Sequence, residues 1–159
     1  MNIYGYCRIS TAKQSIDRQI RNSKAEYPTA HIVQEAYTGT SIFRPEWLKL
    51  YRILKSGDMV VFDSVSRMSR NAEEGFTLYE DLYHKGVRLV FLKEHHIDTE
   101  TYKKALSGSI AMTGTNVDFI LKGINEYLMA LAKEQIKLAF EQSEKEVADL
   151  HQRTREGLL

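Results

Sequence analysis

The residues MVVFDSV, at positions 59–65, constrain the fold of this chain more than any other segment. The run is almost continuously apolar and is bounded by polar and charged residues. An apolar run of this length is typical of a strand in a parallel sheet that is covered on both faces. The segment therefore predicts an α/β fold, provided that helices alternate with strands on either side of it.

That alternation extends over the first hundred residues. The sequence predicts a strand over 2–8, a helix over 13–26 after a Thr11–Gln14 capping box, a second strand at HIVQEAY and a loop at TGTSIFRP. A helix is then predicted from Pro45 to the Ser56–Asp58 turn, followed by the MVVFDSV strand. The last two elements of this part are a helix from Asn71 to Gly86 and a strand at VRLVFL. This order predicts a mainly parallel sheet of four to five strands flanked by helices.

A different pattern follows Asp98. The stretch SGSIAMTGTN is rich in Gly, Ser and Thr and predicts a loop, whereas residues from 117 nearly to the end predict one long amphipathic helix. Its apolar stripe includes Ile136, Phe140, Val147 and Leu150. Because the stripe is longer than a domain of this size needs for its own core, we expect a catalytic unit over 1–116 and an oligomerisation helix over 117–159. The alternative is a helix that folds back on the sheet.

Composition limits the function classes. The 159 residues fit one domain, and the formal net charge of +1 argues against a wholly basic nucleic-acid coat, so any DNA contact must be local. The single cysteine, Cys7, cannot form an internal disulfide. No signal peptide or membrane-spanning run is present in the sequence. We therefore expect a soluble, cytoplasmic protein.

Arg8 and Ser10 come at the end of the first predicted strand. The carboxyl edge of an α/β sheet is where such folds place their sites, and the N-terminus of the following helix favours a bound phosphate. The alternative is that Ser10 or Thr11 merely caps that helix.

Arginines follow the second and third strands as well. Arg44 lies in the loop after the second strand, and Arg67 and Arg70 follow the third, three residues apart and on one side if that segment is helical. An ordinary solvated turn is the alternative. Guanidinium groups bind phosphate oxygens and stabilise charge that grows there, so a phosphodiester is the matching substrate.

The sequence offers little support for a metal site. Asp58 and Asp63 are five apart on one predicted strand and point to opposite faces, so they do not form a two-metal clamp. His95 and His96 are adjacent and would point apart on an extended chain, so we expect exposed loop histidines.

Several motifs resemble the serine recombinase family of resolvases, invertases and large serine integrases. The motifs are GYCRIST with Gln14 and Gln19, TGTSIFRP, GDMVVFDSVSRMSRN and HQRTREGL, in the family's order along the chain. The resemblance is weakest between about 99 and 130. It implies an α/β catalytic domain followed by a long dimerisation helix.

The resemblance also implies a mechanism. Ser10 would attack double-stranded DNA and form a 5′-phosphoserine link without a metal or high-energy cofactor. By the same resemblance, the active-site residues are Arg8, Ser10, Arg67 and Arg70, supported by Tyr6, Gln14, Gln19, Arg44 and Asp58. Homodimers would join into a tetramer that cleaves, rotates and religates the strands, in a protein encoded by bacteria, phages or transposons.

Two departures from the family pattern bear on this mechanism. Ser66 stands where many resolvases have Asp, so the group that deprotonates Ser10 is unassigned, and Glu146-Val147 stands where many have Glu-Arg. Because relatives carry a further DNA-binding region, we expect this chain to be a truncated catalytic fragment. Two alternatives are a noncatalytic α/β module that holds a phosphate or DNA end, and an oligomerisation element with a vestigial site.

Overall fold

The computed structural model describes residues 1–9, 13–36, 44–69, 71–107 and 113–157. The elements are β1 (Ile3–Ile9), α1 (Lys13–Glu26), β2 (His31–Ala36), α2 (Pro45–Ile53), β3 (Met59–Phe62), α3 (Val65–Met68), α4 (Ala72–Lys85), β4 (Arg88–Phe91), a 3-10 helix (His95–Ile97), α5 (Thr99–Ser107) and α6 (Asp118–Gly157). The strands form one parallel sheet in the order β2-β1-β3-β4. The predicted α/β fold with a parallel sheet and flanking helices is confirmed.

The sheet is covered on both faces, as the apolar run in β3 predicts. Val60 and Phe62 point into the main core, together with residues of α2, α4 and α6. Met59 and Val61 point to the other face, where Tyr27 at the end of α1 packs against them. All four residues of β3 are buried, which accounts for the near absence of polar residues in this strand.

The segment after β3 differs from the prediction. The strand ends at Phe62, three residues earlier than expected, and the short helix α3 begins at Val65. The helix ends at Met68, and Ser69 is extended, with φ −157° and ψ 149°. The three-residue spacing of Arg67 and Arg70 therefore does not place them on one helical face, and Arg70 lies outside the described residues.

Two elements after β4 were not predicted. His95 and His96 lie in a 3-10 helix rather than on an extended chain, although both are exposed as expected. α5 follows directly, because Asp98 accepts a hydrogen bond from the backbone N–H of Phe91 and the Thr99 hydroxyl accepts one from that of Leu89. These bonds fix the start of α5 beside β4.

The stripe predicted on the last helix is partly wrong. Ile136 and Phe140 are 2% and 1% exposed and belong to the domain's own core, so they are not free to contact another subunit. Phe140 fits against Gly75 of α4, where an added Cβ would lie 2.5 Å from the aromatic ring. The side chains of Val147 and Leu150 lie outside the described part. Among the residues that the structure describes, no helix is long and apolar enough to cross a membrane.

Candidate active site

Three arginines from different parts of the chain meet beside α3. Arg8, near the end of β1, donates from Nη2 to the carbonyl oxygen of Ser66 at 2.8 Å. Arg44, immediately before α2, donates from Nη1 to the carbonyl oxygen of Met68 at 2.6 Å. Arg67 of α3 donates from Nη1 to the carbonyl oxygen of Arg8 at 3.2 Å. The structure therefore brings together three of the four predicted arginines at the carboxyl edge of the sheet.

Gln19 of α1 holds the last part of β1 in place. β3 pairs with β1 only as far as Tyr6, so the backbone of Arg8 lies beyond the reach of that neighbouring strand. The Gln19 side chain replaces it: Oε1 accepts from the Arg8 N–H at 3.0 Å, and Nε2 donates to the Arg8 carbonyl at 2.9 Å. Gln19 is fully buried. Its amide fixes the backbone that carries Arg8.

Tyr6 lies beneath Arg44 rather than on the surface. Its ring is fully buried and contacts Trp47 edge-on at 5.1 Å, and its hydroxyl donates to Glu35 at 3.3 Å. Burial raises the pKa of Tyr6, and the Arg44 guanidinium opposes that shift. Arg44 also lies 5.7 Å from the centre of the Trp47 ring, within range of a cation–π interaction. Tyr6 thus supports Arg44 and stays protonated at neutral pH.

Asp58 does not lie at the candidate site. It comes directly before β3, at the opposite edge of the parallel sheet from Arg8. Its carboxylate accepts from the backbone N–H groups of Asn2 and Lys55, each at 3.0 Å. The bond from Asn2 is the main cause that lowers the pKa of Asp58. Asp58 thus lies away from the three arginines and ties the start of β1 to the α2–β3 turn; its supporting role in the active site stays a prediction.

Other predicted residues fall outside the described part of the chain. Ser10 and Arg70 are among the residues that are not described, as is the side chain of Gln14. The hydroxyl oxygen of Ser66, which stands where many resolvases have Asp, lies 2.7 Å from that of Ser64.

Three acidic residues around the site were not predicted from the sequence. Glu35 is buried and accepts from the backbone N–H of Trp47 at 2.9 Å, so its negative charge stabilises the N-terminus of α2. Asp63 is buried and accepts from Asn22 of α1 at 2.9 Å. Glu94 accepts from the first N–H of α3 at 2.9 Å. The available signal was an acidic residue within an apolar strand or up to three residues after its end.

The family of the chain follows from a match that covers most of its length. The family model described as "Resolvase, N terminal domain" matches residues 3–146. The chain belongs to the resolvase family. Resolvases of this kind carry out site-specific recombination, which assigns the chain to that activity in general terms and implies DNA binding and oligomerisation.

Curated resolvases resemble the chain over much of its length. The transposon Tn21 resolvase of Escherichia coli is 27% identical over 159 aligned residues, covering 96% of this chain and 83% of that protein. A resolvase of Clostridium perfringens is 31% identical over 99 residues, covering 61% of this chain and 52% of that protein. A solved resolvase-family recombinase from Streptococcus pneumoniae has 20% identity and a TM-score of 0.48, with 98% of this chain and 99% of that chain covered.

Proposed function

We propose that this chain cleaves and rejoins double-stranded DNA with Ser10 as the nucleophile. The Ser10 hydroxyl gives up its proton as its oxygen attacks a backbone phosphorus. The 5′-phosphoserine bond forms, the bond between the phosphorus and the 3′ oxygen breaks, and the leaving 3′ oxygen takes up a proton. Religation reverses these steps, so the phosphodiester energy is kept in the covalent link and no cofactor is consumed. The transposon resolvases among the relatives support a role on a mobile element, and we place the activity in the bacterial cytoplasm.

The convergence of Arg8, Arg44 and Arg67 beside α3 is the observation that carries this proposal. Ser10 follows Arg8 by two positions in the sequence. Guanidinium groups that are already held in place stabilise the negative charge that develops on phosphate oxygens in the transition state. We assign this role to Arg8, Arg67 and Arg70, and a supporting role to Gln14, Gln19 and Arg44.

We further propose that two copies pair through the first half of α6, on a face other than the predicted stripe. Five exposed apolar side chains, which we call the seam, follow a spacing of four, three, four and seven residues: Ile120, Ile124, Tyr127, Leu131 and Leu138. This is the heptad spacing of a helix that pairs with another helix. The buried Ile136 and Phe140 lie on another side of α6, so the helix can contact its own domain and a partner at once. Two such dimers would form the recombining tetramer.

The test is a cleavage assay with the whole gene product and a supercoiled plasmid that carries its recombination site. The wild type is expected to give cleaved DNA covalently bound to protein, and Ser10→Ala to give none. Arg67→Ala should lower the cleavage rate by about 10² to 10³, as does removal of one oxyanion donor, while DNA binding changes little. Equal cleavage by the wild type and Ser10→Ala would show that Ser10 is not the nucleophile, whereas DNA binding by the wild type without any cleavage would favour a noncatalytic DNA-binding module.

A further inference from the structure

The backbone of residues 63–68, which we call the β3–α3 segment, determines where the three arginines lie. The carbonyl oxygens of Ser66 and Met68 accept hydrogen bonds from Arg8 and Arg44. Arg67 is itself part of this segment. A shift of the segment would therefore move all three guanidinium groups together.

The loop after β4 supports this segment from the side. Lys93 donates its backbone N–H to the carbonyl of Asp63 at 3.1 Å, and its Nζ lies 3.3 Å from Asp63 Oδ2. Glu94 Oε2 accepts from the N–H of Val65, the first residue of α3, at 2.9 Å, and Oε1 lies 3.4 Å from the same nitrogen.

The cap that α3 requires does not come from its own N-terminal neighbour. Within the described residues, the side chain of Ser64, at the N-cap position, makes no capping hydrogen bond. The first N–H groups of a helix need acceptors from outside the helix, and a carboxylate also interacts favourably with the positive end of the helix dipole. Glu94 supplies that acceptor from 29 residues away in the sequence.

We propose that Glu94 is a positioning residue for the active site, which caps α3 and thereby holds Arg67, Arg8 and Arg44 in the arrangement that binds a DNA phosphate. The phosphate-binding role of the three arginines rests on the proposed function. The positioning role of Glu94 rests on the contacts of the β3–α3 segment. Glu94 itself contacts backbone and does not reach the reacting atoms through any described contact.

The positioning role of Glu94 can be followed by changing the pH, because the charge of its carboxylate depends on protonation. Burial is the largest influence and raises the pKa of Glu94; the nearby Asp63 also raises it, while the Val65 N–H, Lys93 and His96 lower it. Glu94 therefore takes up a proton at a higher pH than an ordinary glutamate. Protonation removes the charge that caps α3, so the surroundings of Arg67 should change as the pH falls through the native pKa of Glu94.

Nuclear magnetic resonance of the arginine Nε–H groups tests this on the 159-residue chain without DNA. In the wild type, the Arg67 signal should shift with pH, with a midpoint above the ordinary glutamate range. In Glu94→Gln, whose amide oxygen still accepts from Val65 but carries no charge at any pH, the Arg67 signal should stay at the position that the wild type reaches at low pH, and the transition should vanish. In Glu94→Ala, the Arg67 and Arg8 signals should move at every pH.

Asp118→Ala is the matched control. The Asp118 carboxylate accepts from the backbone N–H groups of Thr113 and Gly114 before α6, so its loss removes carboxylate–backbone hydrogen bonds of similar chemistry whose described partners lie outside the β3–α3 segment. The arginine signals should not move in this variant. Unmoved signals in Glu94→Ala, or a transition that persists in Glu94→Gln, would overturn the inference, and the second result remains decisive if Glu94→Ala does not fold.

A cleavage assay then separates this inference from the proposed function. Glu94→Ala should form the covalent DNA adduct about 10²-fold more slowly, as expected when a distant change misplaces catalytic groups, with little change in DNA binding. Glu94→Gln should recover part of the rate, because its amide oxygen still accepts from Val65. Absence of any adduct in the wild type would overturn the proposed function and leave the NMR result intact. Unmoved arginine signals would overturn the role of Glu94 and leave wild-type cleavage unaffected.

Discussion

The side chain of Gln19 supplies to Arg8 the backbone hydrogen bonds that a neighbouring strand supplies elsewhere in the sheet. It bonds both the N–H and the carbonyl of Arg8. In Gln19→Glu, the ionised carboxylate still accepts from the N–H but faces the carbonyl oxygen with no hydrogen to donate. We expect a loss of about 1–3 kcal/mol in the free energy of unfolding at pH 8, the cost of a buried group left unsatisfied.

The pH dependence of the Gln19→Glu variant has a definite sign. Once protonated, the introduced carboxyl can donate to the Arg8 carbonyl as the Gln19 amide does. The proton therefore binds more tightly in the folded state, and the pKa of this carboxyl is raised there. The stability of Gln19→Glu relative to the wild type should rise as the pH falls from 8 towards 5. Urea unfolding at several pH values measures this; a constant difference would show that the amide–backbone pair does not form.

Asp58 provides the opposite case at the residue scale. Its pKa is lowered in the folded state, so its carboxylate stabilises the protein above the ordinary Asp pKa, and this contribution is lost as the pH falls through the lower native value. Asp58→Asn should lower the free energy of unfolding at pH 7, and the deficit should shrink at strongly acid pH. Cleavage per folded molecule should equal that of the wild type. A selective loss of cleavage would return Asp58 to the active site.

At the scale of elements, the contact between α4 and α6 depends on Gly75. Gly75→Ala improves helix propensity by up to about 1 kcal/mol, but the new methyl group would meet the Phe140 ring at 2.5 Å. We expect net destabilisation, because overpacking typically costs about 1–3 kcal/mol. Thermal unfolding measures it, and adding Phe140→Leu should remove part of the penalty. A more stable Gly75→Ala would show that α6 does not pack there.

Periodicity and turn residues predicted most elements of this fold, because local chemistry decides them. Asn71 accepts from the Glu74 N–H at 3.0 Å and Gly86 ends α4 with φ 88°, as their sequence pattern indicates. α3 and the early end of β3 could not be predicted in this way. The first N–H of α3 bonds to Glu94, which is distant in the sequence, and no local pattern reports such a contact.

The same distinction applies to the candidate site. The arginines could be located because residues at the ends of parallel strands share one edge of the sheet. The contacts that hold them use the backbone carbonyls of Ser66 and Met68, which every residue carries and which no sequence motif marks. The sequence did not predict that Phe140 packs in the core of its own domain for a related reason. An apolar stripe on a helix shows that the stripe is covered, but not whether its own domain or another subunit covers it.

At the scale of the whole molecule, the seam on α6 predicts a dimer. Sedimentation of the wild type over a range of concentrations should show dimers, whereas Ile124→Asp with Leu131→Asp should give monomers, because charges would face each other across the paired helices. Lys122→Asp changes an exposed residue away from the seam and should leave the dimer intact. A monomeric wild type, or a seam variant that still dimerises, would contradict this assembly.

The central claim is that Ser10 becomes covalently joined to DNA, and peptide mapping tests it most directly. Trypsin cleaves after Arg8 and Lys13, so Ser10 falls in the short peptide of residues 9–13, together with Thr11. After cleavage of a plasmid carrying the recombination site and digestion of the trapped adduct with nuclease and trypsin, fragmentation should place a 5′-nucleotide phosphate on Ser10. A phosphate linked to Thr11 or to another peptide, or DNA cleavage with no linked peptide, would contradict the account.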